Sequence, residues 1–520
     1  MRKFFQTMEF ETRVLLGLSL AAGVILSLLH VVFSVDMYRD SANVYAMMAR
    51  SLSAGDWTTA FHPGIPCLNV LLSRPFTLCG MRPERALSLV SGLFYVGTVP
   101  FLFLLLKQFL PERLSAVGAL LFVCAPKIIR FSCSSIIDSG KIFFLVAGLF
   151  LLHKLIREEF RSPRTGIAFG LALGGLSLAR SEGIGTAGLL ALAASVYFAM
   201  QWLRTRKLPS LLPAAGAAVF LGLCLLFRVV LMRAVTGEFV FDRRIEGGLE
   251  RMWNGLTSSV SALFSAPAAS STAAPGVPAV PMPPAVPRVS WMELVSQSIR
   301  GGYEFYLVFA AAGLILLILA NRWKNCECLF PGKKFPFDLK WNGFFYVLLF
   351  VVLGNALIFK ASDIAAYRYF LLDIPVLMVF TVTGFAWLWS WGEKFVPRRV
   401  LCCAAACVLL LQVFNGATYF FSKESKNKYA CGRELARMFA GERKAPRVWF
   451  HNASIEWYYS GLRRARPIEV PVPDVRTFAD FDYVLWGTRE SGVDILASRS
   501  DLREIPLREN ATARLFKKIR

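Results

Sequence analysis

Apolar residues in this chain are bunched into long runs, each bounded by Lys/Arg clusters or by Pro and Gly. A lipid interior offers the backbone no hydrogen-bond partner, so a spanning segment must be a helix of roughly 20 mostly apolar residues. Runs of this kind cover 13–35, 85–106, 114–131, 136–156, 165–180, 183–203, 209–232, 303–320, 341–359, 369–391 and 400–421. The pattern predicts an all-α polytopic membrane bundle of about eleven transmembrane helices. The first run is not read as a cleavable signal peptide, because no small-residue cleavage site follows it and further spans come after.

Four segments stand apart from the spans. In the first, 36–84, Val44, Met47, Met48 and Leu52 recur at helical spacing, with Arg39, Asn43 and Arg50 elsewhere around the turn. A second stretch, 65–78, follows His62, Pro63 and Gly64. Both read as amphipathic helices lying at the membrane surface. The long loop 234–300 has a middle, 265–287, made almost wholly of Ala, Pro, Ser and Val, which cannot pack a core and reads as a disordered tether. Its flanks, 241–263 and 290–299, read as interfacial helices. The third segment is the short loop 360–367. From 422 onward, apolar runs at 448–450, 468–472 and 483–486 read as strands alternating with helices at 434–439 and 455–462. The expected division is a membrane domain, 1–421, and a small α/β domain, 422–520.

Composition agrees: 55% of residues are hydrophobic and only 18% charged. The formal charge of +23 raises the question of nucleic acid, but its placement answers it. Lys and Arg concentrate in alternate short loops, at Arg2/Lys3, Lys107/Arg113, Lys154/Arg157/Arg161/Arg164, Arg204/Arg206/Lys207, Arg322/Lys324/Lys333/Lys334 and Lys394/Arg398/Arg399. Short basic loops stay cytoplasmic, and under these spans all of them share one side. The N-terminus is then expected inside an inner membrane, and the C-terminal domain, with the four segments above, on the extracytoplasmic side. Most cysteines lie inside spans as small apolar side chains. Cys326 and Cys328 have no second pair at zinc-finger spacing, and Cys67 and Cys79 face the oxidising side, where pairing is open.

Ionisable residues at membrane depth are costly and usually face a cavity or a pathway. Here they gather at the outer ends of spans: Asp36, Arg39, Asp40 and His62 in the first loop, Lys127 and Arg130, Asp138 and Lys141, Arg180 and Glu182, and Lys360, Asp363 and Arg368. A mixed-charge pocket opening outward is expected. It suits a lipid-anchored donor whose phosphate lies at headgroup level: cations would hold the leaving phosphate, and one carboxylate would take the acceptor's proton. Each residue also has a plainer reading. Asp40 can be the N-terminal charge of a surface helix, Asp36 a span boundary and His62 a turn former. Arg180 with Glu182 can be an interfacial salt bridge, and Tyr367, Arg368 and Tyr369 an aromatic belt with a snorkelling cation. Arg228, deeper in its span, is expected to pair within the bundle or snorkel outward.

Order along the chain adds a resemblance. Tyr38, Arg39, Asp40 and Ser41, then Tyr45, Ala49 with Arg50, Gly55, Asp56 and Trp57, and His62 with Pro63, resemble the first outer loop of the polyprenyl-phosphate-dependent C-type glycosyltransferases. That group includes the protein O-mannosyltransferases and the aminoarabinose transferase that modifies lipid A. Arg85 opening the second span, Pro126, Asp138, the turn Arg180, Ser181, Glu182, Gly183, and Arg368 and Tyr369 with Pro375 follow in the family's order. Many members carry adjacent Asp-Glu where this chain has Asp40 and Ser41, with Asp36 four residues earlier.

The resemblance implies an inverting transferase, moving a hexosyl or pentosyl group from a polyprenyl-phosphate donor to a hydroxyl acceptor. It implies Asp40 as general base, with Asp36 in reserve. It makes Arg180 and Arg368 phosphate ligands and has Glu182 and His62 position substrate; Arg39, Tyr45, Lys127, Asp138 and Tyr367 complete the substrate-binding set. No metal or other cofactor is expected, and no nucleic acid. The alternatives are a polytopic lipid or glycan transporter, which would spread charges through the bundle's depth, and an O-antigen polymerase or ligase, whose functional residues lie in a late outer loop.

Overall fold

In the computed structural model, the described residues are 8–33, 41–62, 64–206, 210–237, 239–241, 291–302, 304–322, 344–361, 367–421, 423–440, 446, 448–451, 453–460, 481–488, 497, 500–507 and 511–519. Asp36, Arg39, Asp40, the 265–287 stretch and the expected strand 468–472 lie outside them.

Each of the eleven expected apolar runs is helical. They are α1 (Phe10–Phe33), α5 (Pro83–Leu106), α6 (Glu112–Cys124) continued by α7 (Pro126–Ser132), α8 (Asp138–Arg157), α9 (Pro163–Ala179), α10 (Gly183–Thr205), α11 (Leu211–Thr236), α13 (Glu304–Arg322), α14 (Phe344–Ala361), α15 (Asp373–Gly392) and α16 (Arg398–Thr418). Among the described residues, seven helices are long and apolar enough, by length and composition, to cross a membrane, and this is a multi-pass membrane protein. The third run is not straight. Ala125 is extended, Pro126 cannot continue the helix of residues before it, and α6 and α7 meet at a 61° bend.

Close packing sets where the helix ends fall. Gly166, Gly170 and Gly174 recur every fourth residue on α9, and a Cβ there would overlap Pro213, Ala217 and Cys224 of α11. This small-residue stripe lets two backbones touch, the usual device for helix pairs in lipid. Gly313 of α13 and Gly384 of α15 do the same reciprocally, each against the other helix's backbone.

Between α1 and α5, the first long loop forms a π-helical turn (Ser41–Tyr45), α2 (Ala46–Ser53), α3 (Trp57–Ala60) and α4 (Leu68–Leu78). Ahead of α13 stands α12 (Trp291–Gly302). After α16 come α17 (Lys423–Ala440), β1 (Val448–His451), α18 (Ser454–Tyr459), β2 (Tyr483–Gly487), β3 (Leu502–Ile505) and β4 (Ala513–Lys518). The strands form one sheet in the order β1-β2-β4-β3, with β1 parallel to β2 and the other pairs antiparallel. Two of the strands, β3 and β4, go beyond the sequence reading. Charged residues interrupt both, and β3 is half solvated at the sheet edge, so no apolar run announces it.

Central β2 is buried on both faces. Its Val484 and Trp486 pack with Trp449, Leu502 and Phe516. Tyr483 and Leu485 point the other way, into a core shared with Ala42, Tyr45, Met48 and Leu52 of the first loop and with Ile137 and Leu178 at the bundle's end. The C-terminal sheet therefore sits on this first long loop and not apart from it. Arg50 stacks 4.0 Å from the Tyr458 ring centroid and donates to the Tyr458 carbonyl at 3.2 Å, while the Tyr458 hydroxyl donates to Glu84 Oε2 at 2.9 Å.

Candidate active site

The loop, the sheet and one end of the bundle converge on the short turn between α7 and α8. Ser41 is pinned there: its Oγ lies 2.5 Å from Ser135 Oγ and donates to the Ser135 carbonyl at 3.1 Å. Ser91 of α5 holds the next residue, donating to the Ile136 carbonyl at 2.7 Å. These contacts fix the start of α8, where Asp138 is its first residue and Lys141 follows one turn later on the same face.

From the neighbouring pair of helices comes Arg180. The chain leaves α9 in an extended conformation at Arg180 and re-enters helix at Gly183, where a side chain would overlap the Leu176 carbonyl. The tight turn aims the Arg180 guanidinium back across α8. It pairs with Asp138 through Nη1 and with Glu182 Oε2 through Nε at 3.2 Å, and all three side chains are no more than 7% exposed. Burial alone would raise the Glu182 carboxyl, but Arg180 and Lys141 hold it well below its ordinary range.

Lys141, Arg180 and Arg368 line one pocket together with Asp138, Ile142, Leu371 and Leu372. Arg368 and the two leucines arrive on a 3₁₀ turn (Tyr367–Leu372) that leads into α15. The Lys141 ammonium is buried, 5.0 Å from the Phe359 ring centroid of α14, and finds no hydrogen-bond acceptor among the described residues. Asp138 Oδ2, Ser139 Oγ, Ser181 Oγ and Asp373 Oδ1 are likewise buried without a partner. Unmet polar groups cost roughly 1–3 kcal/mol each in a dry interior, so several around one pocket point to a polar occupant. The chemistry of the lining is that of an anion site: two guanidinium groups and an ammonium converge, and the ammonium has three donors uncommitted.

Four expected site residues, Asp138, Arg180, Glu182 and Arg368, are brought together here. Others are placed elsewhere. Tyr45 is buried in the core between loop and sheet. The Nδ1 of half-buried His62 accepts the Gly64 amide at 3.1 Å and so fixes the turn before α4. Lys127 is half-buried on α7 and is not among the residues lining the pocket. Tyr367 opens the 3₁₀ turn, and its side chain is outside the described set. Arg228 is fully buried and donates through Nε to the Phe241 carbonyl at 2.7 Å. Cys67 is buried, Cys79 exposed, and both are free thiols.

Lys141 joins the site, and buried Asp373 follows the pocket-lining Leu372 in the chain. In the sequence, Lys141 stands among the charges at the ends of the runs with no individual role. Asp373 is the only charged residue in the apolar run 369–391. An ionisable group inside such a run is the signal that would have found it.

No family model matches the sequence, and no curated protein matches it. Solved structures do. The chain is similar to ArnT from Cupriavidus metallidurans bound to undecaprenyl phosphate, at 12% identity and a TM-score of 0.58, over 96% of this chain and 97% of that one. It is similar to the same protein in the apo state at 14% identity and a TM-score of 0.54, over 96% and 97%. The fold is thus shared over nearly the whole length, the C-terminal sheet included, and it is the fold expected from the sequence resemblance.

Proposed function

We propose that this protein is an inverting glycosyltransferase moving a hexosyl or pentosyl group from a polyprenyl-phosphate donor to a hydroxyl acceptor. The reaction takes place on the outer face of the inner membrane, with the N-terminus cytoplasmic and the sheet domain outside. One observation carries this reading: a pocket lined by Lys141, Arg180 and Arg368 in which the ammonium has no acceptor among the described residues. The shared fold with an ArnT structure that holds undecaprenyl phosphate supports the choice of a lipid phosphate as that anion.

In this reading the donor's phosphate sits against the three cations with its polyprenyl tail in lipid. Asp40 removes the proton from the acceptor hydroxyl as that oxygen bonds to the anomeric carbon. The anomeric carbon–oxygen bond to phosphate breaks on the opposite face, and its electron pair leaves with the phosphate, where the cations stabilise the growing charge. Asp40 precedes Ser41 in the chain, and Ser41 is held to Ser135, three residues ahead of Asp138. That tether supports Asp40 over Asp36 as the base.

Asp40→Asn and Asp36→Asn variants, purified and given a panel of polyprenyl-phosphate sugars with candidate acceptors, test the assignment. Asp40→Asn is expected to lose at least about a hundred-fold in turnover while still binding the lipid. Loss in Asp36→Asn alone moves the base one helical turn earlier. A wild-type protein that binds no polyprenyl phosphate ends the transferase reading.

A further inference from the structure

The π-helical turn Ser41–Tyr45 begins one residue after Asp40, and Ser41 and Ala42 are fully buried. A π-helical turn is a rare conformation, met most often at functional sites. Two neighbours hold this one. The turn ahead of α8 takes the Ser41 hydroxyl at Ser135. Helix α18 of the sheet domain packs against the π-helical turn itself, where Ala42 and Tyr45 share a core with Ile455 and Tyr458. Bundle and sheet domain together thus enclose the chain immediately behind the proposed base.

Apolar packing has no direction of its own. Tyr458 supplies one, because this residue grips both the first long loop and the bundle. Its ring carries the Arg50 guanidinium of α2 at 4.0 Å, and its carbonyl accepts from Arg50 Nη2 at 3.2 Å. Its hydroxyl donates to Glu84 Oε2 of α5 at 2.9 Å. Burial, and then the Glu84 charge, push that hydroxyl well above its ordinary range, so it remains a donor. Helix α18 is in turn seated on α17 at Gly432, where a Cβ would lie 2.6 Å from the Glu456 carbonyl. The backing is therefore close-packed, and the hydroxyl–carboxylate bond ties it to the bundle. That bond can be deleted without emptying the core.

We propose that Tyr458 is a positioning residue of the transfer reaction: through Arg50 and Glu84 it fixes the helix behind Asp40 against the bundle, and so sets where the base stands. This rests on the reading of Asp40 as base. Tyr458 acts through the loop and not on the substrate. The leverage is large, since a catalytic group misplaced by about 1 Å can lose on the order of a hundred-fold in rate.

The test uses full-length protein in lipid nanodiscs. Tyr458→Phe keeps the ring and removes the hydroxyl; Glu84→Gln keeps an acceptor for that hydroxyl, and Glu84→Ala does not. Affinity is measured with undecaprenyl phosphate, turnover per lipid-binding site with the panel of polyprenyl-phosphate sugars, and loop motion by amide exchange. Tyr458→Phe is expected to lose about ten-fold in turnover with lipid affinity unchanged. Exchange should quicken across Ser41–Ser53 and stay as in wild type across Asp138–Ile142. Glu84→Gln should retain more turnover than Glu84→Ala. In an Asp40→Asn background, Tyr458→Phe should cost nothing further, because no base remains to be placed. Wild-type turnover or unchanged loop exchange in Tyr458→Phe overturns the proposal, as does a loss that persists in full when Asp40 is already Asn. Should Tyr458→Phe fail to fold, the two Glu84 variants carry the same comparison. An Asp40→Asn protein as active as wild type, or a wild type inactive on the whole panel, fails the reading beneath the proposal, a result distinct from the others.

Discussion

The two ends of the helix bundle carry ion pairs of different kinds. At one end Lys107 pairs with Glu112, Arg113 with Glu11 at 2.8 Å, Lys154 with Glu158 at 3.7 Å and Arg161 with Glu159. Their side chains are between 29% and 79% exposed. At the other end, besides the partly exposed Arg82–Glu84 pair at 3.5 Å, Arg180 holds Asp138 and Glu182 with each of these three side chains at 4–7%, and unmet polar atoms surround them. Exposed pairs cost little to form and contribute little. Taking charges out of water is expensive, and a sequence that does so beside unsatisfied donors has left room for something else to complete the set. The contrast, drawn without reference to any relative, is what favours this end as the working end in the proposed function.

Paired substitutions give the largest expected effect. Arg180→Met strands two buried carboxylates and should cost about 3–5 kcal/mol of stability along with the transfer activity. Arg113→Gln, at the exposed end, should cost under about 1 kcal/mol and leave activity intact. Thermal melting of the two variants in the same detergent reads the difference. Equal shifts would mean that burial is not what separates the two ends.

A smaller effect tests how the working end is roofed. Arg50 joins the first loop to the sheet domain through the Tyr458 ring and carbonyl. Arg50→Ala should cost about 1–2 kcal/mol and raise the rate at which protease clips the C-terminal domain, with Lys141's pocket unchanged in composition. A clipping rate identical to wild type would show that the shared apolar core alone holds the sheet in place.

Much of this architecture was legible because lipid imposes a simple rule: a sufficiently long apolar run must be a helix. The gathering of Asp138, Arg180, Glu182 and Arg368 could be read as well, since each sits at a helix end on the same expected face. What could not be read depends on three-dimensional approach. The glycine stripe on α9 acquires its meaning only from the α11 backbone lying against it. Tyr45 carries the spacing of a substrate contact yet packs in a core whose other half lies more than four hundred residues away, at Tyr458 and beyond. His62 has the chemistry of a catalytic group but its nearer nitrogen is committed to a turn. Asp373 was hidden by the apolar run around it, although that setting is what makes a carboxylate there expensive.

The smallest expected effect separates exposure from location. Arg514 of β4 grips Glu504 of β3 through two of its three guanidinium nitrogens, Nε at 2.7 Å and Nη2, in a domain that shares a core with that end of the bundle. The pair is nonetheless exposed, at 29% and 40%. The hydrogen bond from Arg514 pulls the Glu504 carboxyl below its ordinary range. A carboxyl depressed in the folded state contributes stability that is present above its unfolded pKa and is lost as pH falls through the folded value. Acidifying from about pH 5 toward pH 3 should therefore loosen the β3–β4 edge, seen as faster amide exchange at Leu502 to Ile505. Glu504→Gln should remove that pH dependence while changing the neutral-pH melting temperature hardly at all. If this exposed pair instead proved as costly to break as Arg180, position at the working end, and not burial, would be the source of the difference between the two ends.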